Sequence, residues 1–251
     1  VYKQKIRCDG EDSFTLSSWK QVSRVFEILP PDPNRLIATG NALLVITDES
    51  GNTESRALEL DVRAEFRQAK SRHIVGLEHD LASSSGTQTK EQRRLLYQYD
   101  KFFTDQWFAA ANSSWEEDKF RNLASKWVVG AGMGYQFFET ELLNLSTEAG
   151  LSYIDEDFEQ DGRRSYPALR SSTTFRWVLN PDGVQVFFDG LFYQSLESTP
   201  NWVATLTAGM SMPVIGALKV QVQFDYDYDN YPASGAQKED RLWKLGFSYV
   251  W

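Results

Sequence analysis

Charged residues recur at every second position in one stretch of this chain, Glu59, Asp61, Arg63, Glu65 and Arg67, and a second stretch places Lys219, Asp225 and Asp227 on the same two-residue period. Side chains two apart share one face of an extended strand. The chemistry open to such a face is ion pairing, or solvation of water and small charged species passing along it. Bond-making chemistry is harder to assemble. His73 and His79 are six apart and project to one face of one candidate strand. A zinc site needs more ligands than that strand supplies, and no helical His-Glu motif is present, so both are expected to be structural or interfacial. A lipid-modifying hydrolase would need a Ser, a His and an orienting Asn or Asp in hydrogen-bond reach. His79 with Ser83 or Ser84 is the one available pairing, and no oxyanion donor can be named for it. Gly130, Gly132 and Gly134 alternate within a strand pattern, unlike the strand-to-helix turn that cradles a phosphate. No catalytic residue, cofactor or metal ligand is therefore assigned.

Composition narrows the class further. The chain has 251 residues, a net charge of -9 and 14% aromatic residues. So many aromatics exclude a disordered chain, and the acidic balance argues against nucleic acid, whose phosphates need clustered Lys and Arg. A single cysteine, Cys8, excludes a disulfide framework or a thiolate cluster within the chain. Mean hydropathy is -0.45, and no apolar run reaches the length of a membrane helix.

The elements that would hold the charges are alternating strands. Leu218, Val220, Val222, Phe224, Tyr226 and Tyr228 oppose Lys219, Gln221, Gln223, Asp225 and Asp227, while Leu58, Leu60, Val62, Ala64 and Phe66 oppose the charged row from Glu59 to Arg67. A one-residue slip would exchange the two faces, so register is strongly specified. The stretches beginning near Trp127, Leu143, Leu169 and Trp202 repeat the pattern. Faces are mixed over 36–48, 72–83, 92–103, 105–116 and 184–196. Short turn signals stand near Gly51, Ala69-Lys70, Thr104-Asp105, Glu139-Thr140, Pro181 to Gly183 and Pro213 to Gly216. Longer connections are expected at 84–91, 116–122, 155–165, 197–201 and 229–239. The count is twelve strands between about residue 36 and the C-terminus, preceded by an N-terminal segment, 1–34, ending in Pro30-Pro31-Asp32-Pro33.

Alternating strands with one apolar, aromatic-rich face and one polar face predict an all-β fold, an antiparallel up-and-down transmembrane β-barrel over residues 35–251. Its lumen would be lined by Glu59, Asp61, Arg63, Glu65, Arg67, Glu78, Arg94, Asp100, Lys126, Glu148, Arg170, Arg176, Asp189, Lys219, Asp225, Asp227 and Lys244. This set is either a paired network that stiffens the wall or a narrow pathway for ions and small polar solutes. An acidic external loop is expected at Asp155-Glu156-Asp157, Glu159 and Asp161, with Glu116-Glu117-Asp118 and Asp229 in others. Oxygen ligands of this kind could hold divalent cations, but the Gly and terminal Glu of a calcium loop are missing, so solvated loops are expected.

The ending, Lys244-Leu245-Gly246-Phe247-Ser248-Tyr249-Val250-Trp251, resembles the sorting signal of bacterial outer-membrane barrels, with Lys244, Gly246, Tyr249 and Trp251 in the signal positions. Gly40-Asn41-Ala42, Ser50 to Thr53, the run from Tyr99 to Trp107, Asp118 to Leu123 and Gly130 to Gln136 extend the likeness over residues 36–251. On these motifs the chain resembles the salt-induced outer-membrane proteins, catalogued as domain of unknown function family 481. The resemblance implies a monomeric barrel in the outer membrane of a Gram-negative bacterium, in contact with lipid and lipopolysaccharide and inserted by the barrel-assembly machinery. An even strand count puts both barrel ends on one side, expected to be the periplasm, with residues 1–34 as a periplasmic segment. The family carries no established reaction.

Overall fold

The computed structural model describes residues 35–50, 54–179 and 183–251. The segment 1–34 and its Pro-rich end lie outside the described residues. Twelve strands follow one another: β1 (Ile37–Glu49), β2 (Ser55–Gln68), β3 (Ser71–Ser84), β4 (Thr87–Phe102), β5 (Trp107–Asp118), β6 (Leu123–Glu139), β7 (Leu143–Phe158), β8 (Gly162–Val178), β9 (Gln185–Ser195), β10 (Trp202–Ile215), β11 (Leu218–Asp229) and β12 (Glu239–Val250). Each pairs antiparallel with its sequence neighbours, and β1 meets β12 to close the barrel. Among the described residues the other regular element is a 3-10 turn at Lys119–Arg121. Asp118 caps it by accepting hydrogen bonds from the amides of Phe120 and Arg121.

The two-residue period decides which face each side chain takes. On β12, Trp243, Leu245, Phe247, Tyr249 and Trp251 are all exposed, Trp243 at 72%, whereas Lys244 and Ser248 between them are buried. Aromatic rings gather toward both ends of the outer face. Trp107, Tyr135 and Phe137 stack edge-on near the end that carries the chain terminus, and Trp202 stacks on Tyr228 toward the other. An apolar outer band between aromatic girdles is the surface that a lipid bilayer covers.

The hairpins differ from the expected alternation of short and long connections. Segment 84–91 is a two-residue turn, Ser85-Gly86, with both residues at positive φ (49° and 76°), the backbone of the tight hairpin turn that matches strand twist. Segments 116–122 and 155–165 shrink in the same way, because β5 continues to Asp118 and β7 to Phe158. The acidic residues expected in loops at 116–118 and 155–157 are thus strand residues, as is Asp229 at the end of β11. They alternate between the faces, and Glu116, Glu117, Asp155 and Glu156 pair with Arg or Lys of a neighbouring strand. The connection at 230–238 remains long.

Closure is the weakest pairing. β1 pairs with β2 along its whole length, but with β12 only from Asn41–Leu44 to Phe247–Val250. Gly40 and Trp251 then exchange backbone hydrogen bonds of 3.0 and 3.1 Å. A Cβ on Gly40 would lie 2.5 Å from the Arg63 carbonyl and would also strike the Trp251 indole, so only glycine lets the last residue lie across the seam.

Candidate functional site

The register carries every charged residue expected to line the lumen onto one face. Asn41 lies opposite Arg63, Leu43 opposite Asp61 and Val45 opposite Glu59. The row continues through Glu78, Arg94, Glu116, Lys126 and Glu156 by direct pairing from β3 to β7. Arg170, Arg176, Asp189, Asp225, Asp227 and Lys244 keep the same face from β8 to β12. What this face encloses is mostly polar and falls into three levels.

At the end bearing the chain terminus, Arg67 grips Glu139 through two hydrogen bonds of 3.0 and 3.2 Å and lies 3.9 Å from the centre of the Phe102 ring. Arg72, buried beside it, donates to Asp100 at 2.6 Å and to Gln136 at 2.9 Å. Phe108 fills the space opposite Gly134, where a Cβ would collide with its ring. From this layer opens a cavity of ≈ 870 Å³, lined by Arg67, Arg72 and Glu139 and, further in, by Arg63, Gln98, Glu148 and Asp189 among others. Arg176 holds Asp189 at 2.5 Å, and Thr174 donates to the same carboxylate at 3.0 Å. Lys219 sits half-buried on this face near the start of β11.

At mid-height the network crosses the lumen. Arg94 on β4 meets Glu78 on β3 at 2.9 Å, Glu116 on β5 at 3.2 Å and Asp227 on β11 at 4.0 Å. β11 stands on the far wall, so this guanidinium spans the opening. Lys244 reaches Asp61 at 3.1 Å, Asp225 at 3.3 Å, Glu59 at 3.7 Å and Asp80 at 3.9 Å. Arg170 pairs with Glu148, which also accepts from Gln98.

At the far end, Glu156 takes Lys126 at 2.9 Å and Arg164 at 2.6 Å. Here the connection between β11 and β12 runs over the mouth. Ala233 packs on Leu123 and Phe158, the Tyr231 carbonyl accepts from Arg164 at 2.9 Å, and the Ser234 amide donates to Asp161 at 2.6 Å. Asp161, exposed beyond the strands, is held below the usual carboxylate range chiefly by that backbone hydrogen bond. Beneath this strap lies a second cavity of ≈ 110 Å³. The two cavities share Arg94, Leu96, Arg170, Leu191 and Thr205, which places the constriction at mid-height.

Several members of this network lie outside the seventeen residues expected from sequence: Arg72, Asp80, Glu116, Glu156 and Arg164. Arg72 and Asp80 share a face with Glu78, so carrying that residue's two-step register along 72–83 would have found them. His73 and His79 lie on the opposite, outer face. His73 contacts the Tyr97 hydroxyl at 3.0 Å. Ser83 stands four residues from His79, about 13 Å along an extended strand, so the one candidate Ser-His pairing is not assembled. Of the terminal residues, Lys244 and Gly246 face inward and Tyr249 and Trp251 outward. Asp155 is bound to Arg163 and Glu156 to Arg164, so the expected acidic loop presents no open set of oxygen ligands. Among the described residues no group of His, Cys, Asp and Glu has the arrangement of a metal site.

Solved structures share this architecture. The NanC porin aligns with a TM-score of 0.53 at 10% identity, over 85% of this chain and 99% of that one, which shows a common fold. The KdgM porin (TM-score 0.41, 10% identity, 85% and 98% covered) and the translocator domain of the autotransporter NalP from Neisseria meningitidis (0.41, 12%, 85% and 88%) align more loosely. No curated protein matches the chain. The family model described as "Protein of unknown function, DUF481" matches residues 43–251, and a match over most of the chain means that it belongs to that family.

Proposed function

We propose that this barrel is a non-enzymatic channel of the bacterial outer membrane, monomeric, with its chain termini toward the periplasm, that passes ions or small polar solutes. The observation that carries this reading is the ≈ 870 Å³ of open space inside the barrel, lined by charged, hydroxyl and apolar side chains, where a filled barrel would leave none. Twelve strands enclose a bore between the filled interior of eight-stranded barrels and the wide channel of porins. Most of the inner charges are held by ion pairs and hydrogen bonds, as buried charges must be. Lipid and lipopolysaccharide would contact the outer band. The assembly machinery would read Lys244, Gly246, Tyr249 and Trp251.

A second reading, a closed structural or assembly-partner barrel, is favoured by one feature: Arg94 and the strap both bridge the opening. Solute flux decides between them. Vesicles reconstituted with heat-modifiable, folded protein should swell in isotonic solutions of small sugars and salts faster than empty vesicles. Equal rates would establish the closed barrel.

A further inference from the structure

The charges at the constriction are unequal in number. Arg94 is met by three carboxylates and Lys244 by four. Lys90, bound to Asp80 at 2.7 Å, and Arg121 and Lys126, both acting on Glu116, add three cations, so these seven carboxylates meet five cations. A second observation is independent of the count. Asp80 is 6% exposed and its Oδ1 has no hydrogen-bond partner, and Glu59 Oε2 is likewise buried without one. Both oxygens are turned toward Lys244 Nζ, at 3.9 and 3.7 Å, beyond hydrogen-bond length. Two buried acceptors around a single ammonium can each take a further donor, a water or a mobile cation. The third observation is position. Glu78 keeps nearly half of its side chain exposed, Asp61 is open in part, and both line the larger cavity where it narrows toward the smaller one.

We propose that the lumen passes small cations in preference to anions, and that the carboxylates around Lys244 and Arg94 set this preference. A narrow opening with low-dielectric walls focuses the field of its charges and concentrates ions of the opposite sign. Asp61 and Glu78 present that field to the cavity. Lys244 acts as a tethered counter-ion, neutralising part of the cluster that a mobile cation would otherwise neutralise. The preference concerns passage, and it rests on the channel reading above.

Reversal potentials in planar bilayers under a potassium chloride gradient test it. The wild-type protein is expected to favour K⁺ over Cl⁻ by a permeability ratio on the order of 10. Glu78→Gln removes a pore-facing negative charge with little change of shape, and should lower the ratio. Lys244→Gln should raise it. Because Lys244→Gln leaves buried carboxylates uncompensated and could impair folding, the milder Asp61→Asn variant serves as a second arm and should lower the ratio as Glu78→Gln does. Conductance with no cation preference, or with anion preference, overturns this inference and leaves the channel intact. A preference that none of the variants changes shows that the cluster does not set it, which also overturns the proposal. Absence of unit conductance in inserted protein overturns the channel reading and the inference with it.

Discussion

Arg72 and Asp100 show what the lumen demands of a single residue. Both are buried, their 2.6 Å contact is reinforced by Gln136 and Gln98, and the guanidinium lies near the rings of Phe102 and Phe108. Removing one member leaves the other charged and unpaired, which in buried pairs costs about 3–5 kcal/mol, whereas replacing both by apolar groups of similar volume can be nearly neutral. Asp100→Ala is therefore expected to destabilise the barrel by about 3 kcal/mol, and the double change Arg72→Met with Asp100→Leu by much less. Denaturant titration of the detergent-refolded protein measures both. Equal losses in the two variants would show that the pair itself, and not its incomplete removal, carries the stability.

At the scale of elements, alternation alone makes most of the architecture legible in the sequence. The row from Glu59 to Arg67 and the β11 row each put apolar residues on one face and charges on the other, and twelve strands follow from counting such runs. What the sequence conceals has physical causes. In β3 the lumen face carries Ile74 and Gly76, and the lipid face carries His73 and His79, so the hydropathy contrast vanishes although the register persists. In β5 and β7 the strands run past the apolar band as paired acidic and basic residues, so Glu116–Asp118 and Asp155–Asp157 look like solvated loops. Cross-lumen partners such as Arg94 and Asp227 depend on the curvature of the closed sheet, which no local pattern encodes.

Two elements lend themselves to experiment. The β1–β12 seam has the shortest ladder, so its amides at Asn41–Leu44 and Phe247–Val250 should exchange with solvent deuterium sooner than those of β6 and β7. Uniform protection around the barrel would contradict that order of opening. Trp251 closes this seam through its two backbone bonds to Gly40. Its deletion should consequently weaken the refolded barrel as well as reduce insertion in cells.

The strap is the second. The Ser234 amide holds the Asp161 carboxyl below its ordinary value, so the charge-assisted contact is fully present above the usual carboxylate pKa of about 4 and is lost as pH falls through the depressed value. Acidification well below pH ~4 should loosen the strap and raise the unit conductance. Asp161→Ala should start in the loosened condition and lack this acid step. An identical acid response in that variant would place the pH-sensitive contact elsewhere.

For the barrel as a whole, an apolar outer band, a charged interior and a closed ladder make one body whose two cavities meet at the level where Arg94 faces Asp227. Orientation is separately testable. If the termini face the periplasm, an epitope inserted within 230–238 should be labelled on intact cells, and labelling only after permeabilisation would reverse the topology. The most direct test of the central claim is single-channel recording of the wild-type barrel beside the double variant Arg94→Gln with Asp227→Asn, in which the bridge across the lumen loses both charges. Discrete conductance steps in the wild type, larger in the double variant, are predicted. Silence from both, in protein shown by heat-modifiable mobility to be folded and inserted, would contradict the claim that this lumen conducts.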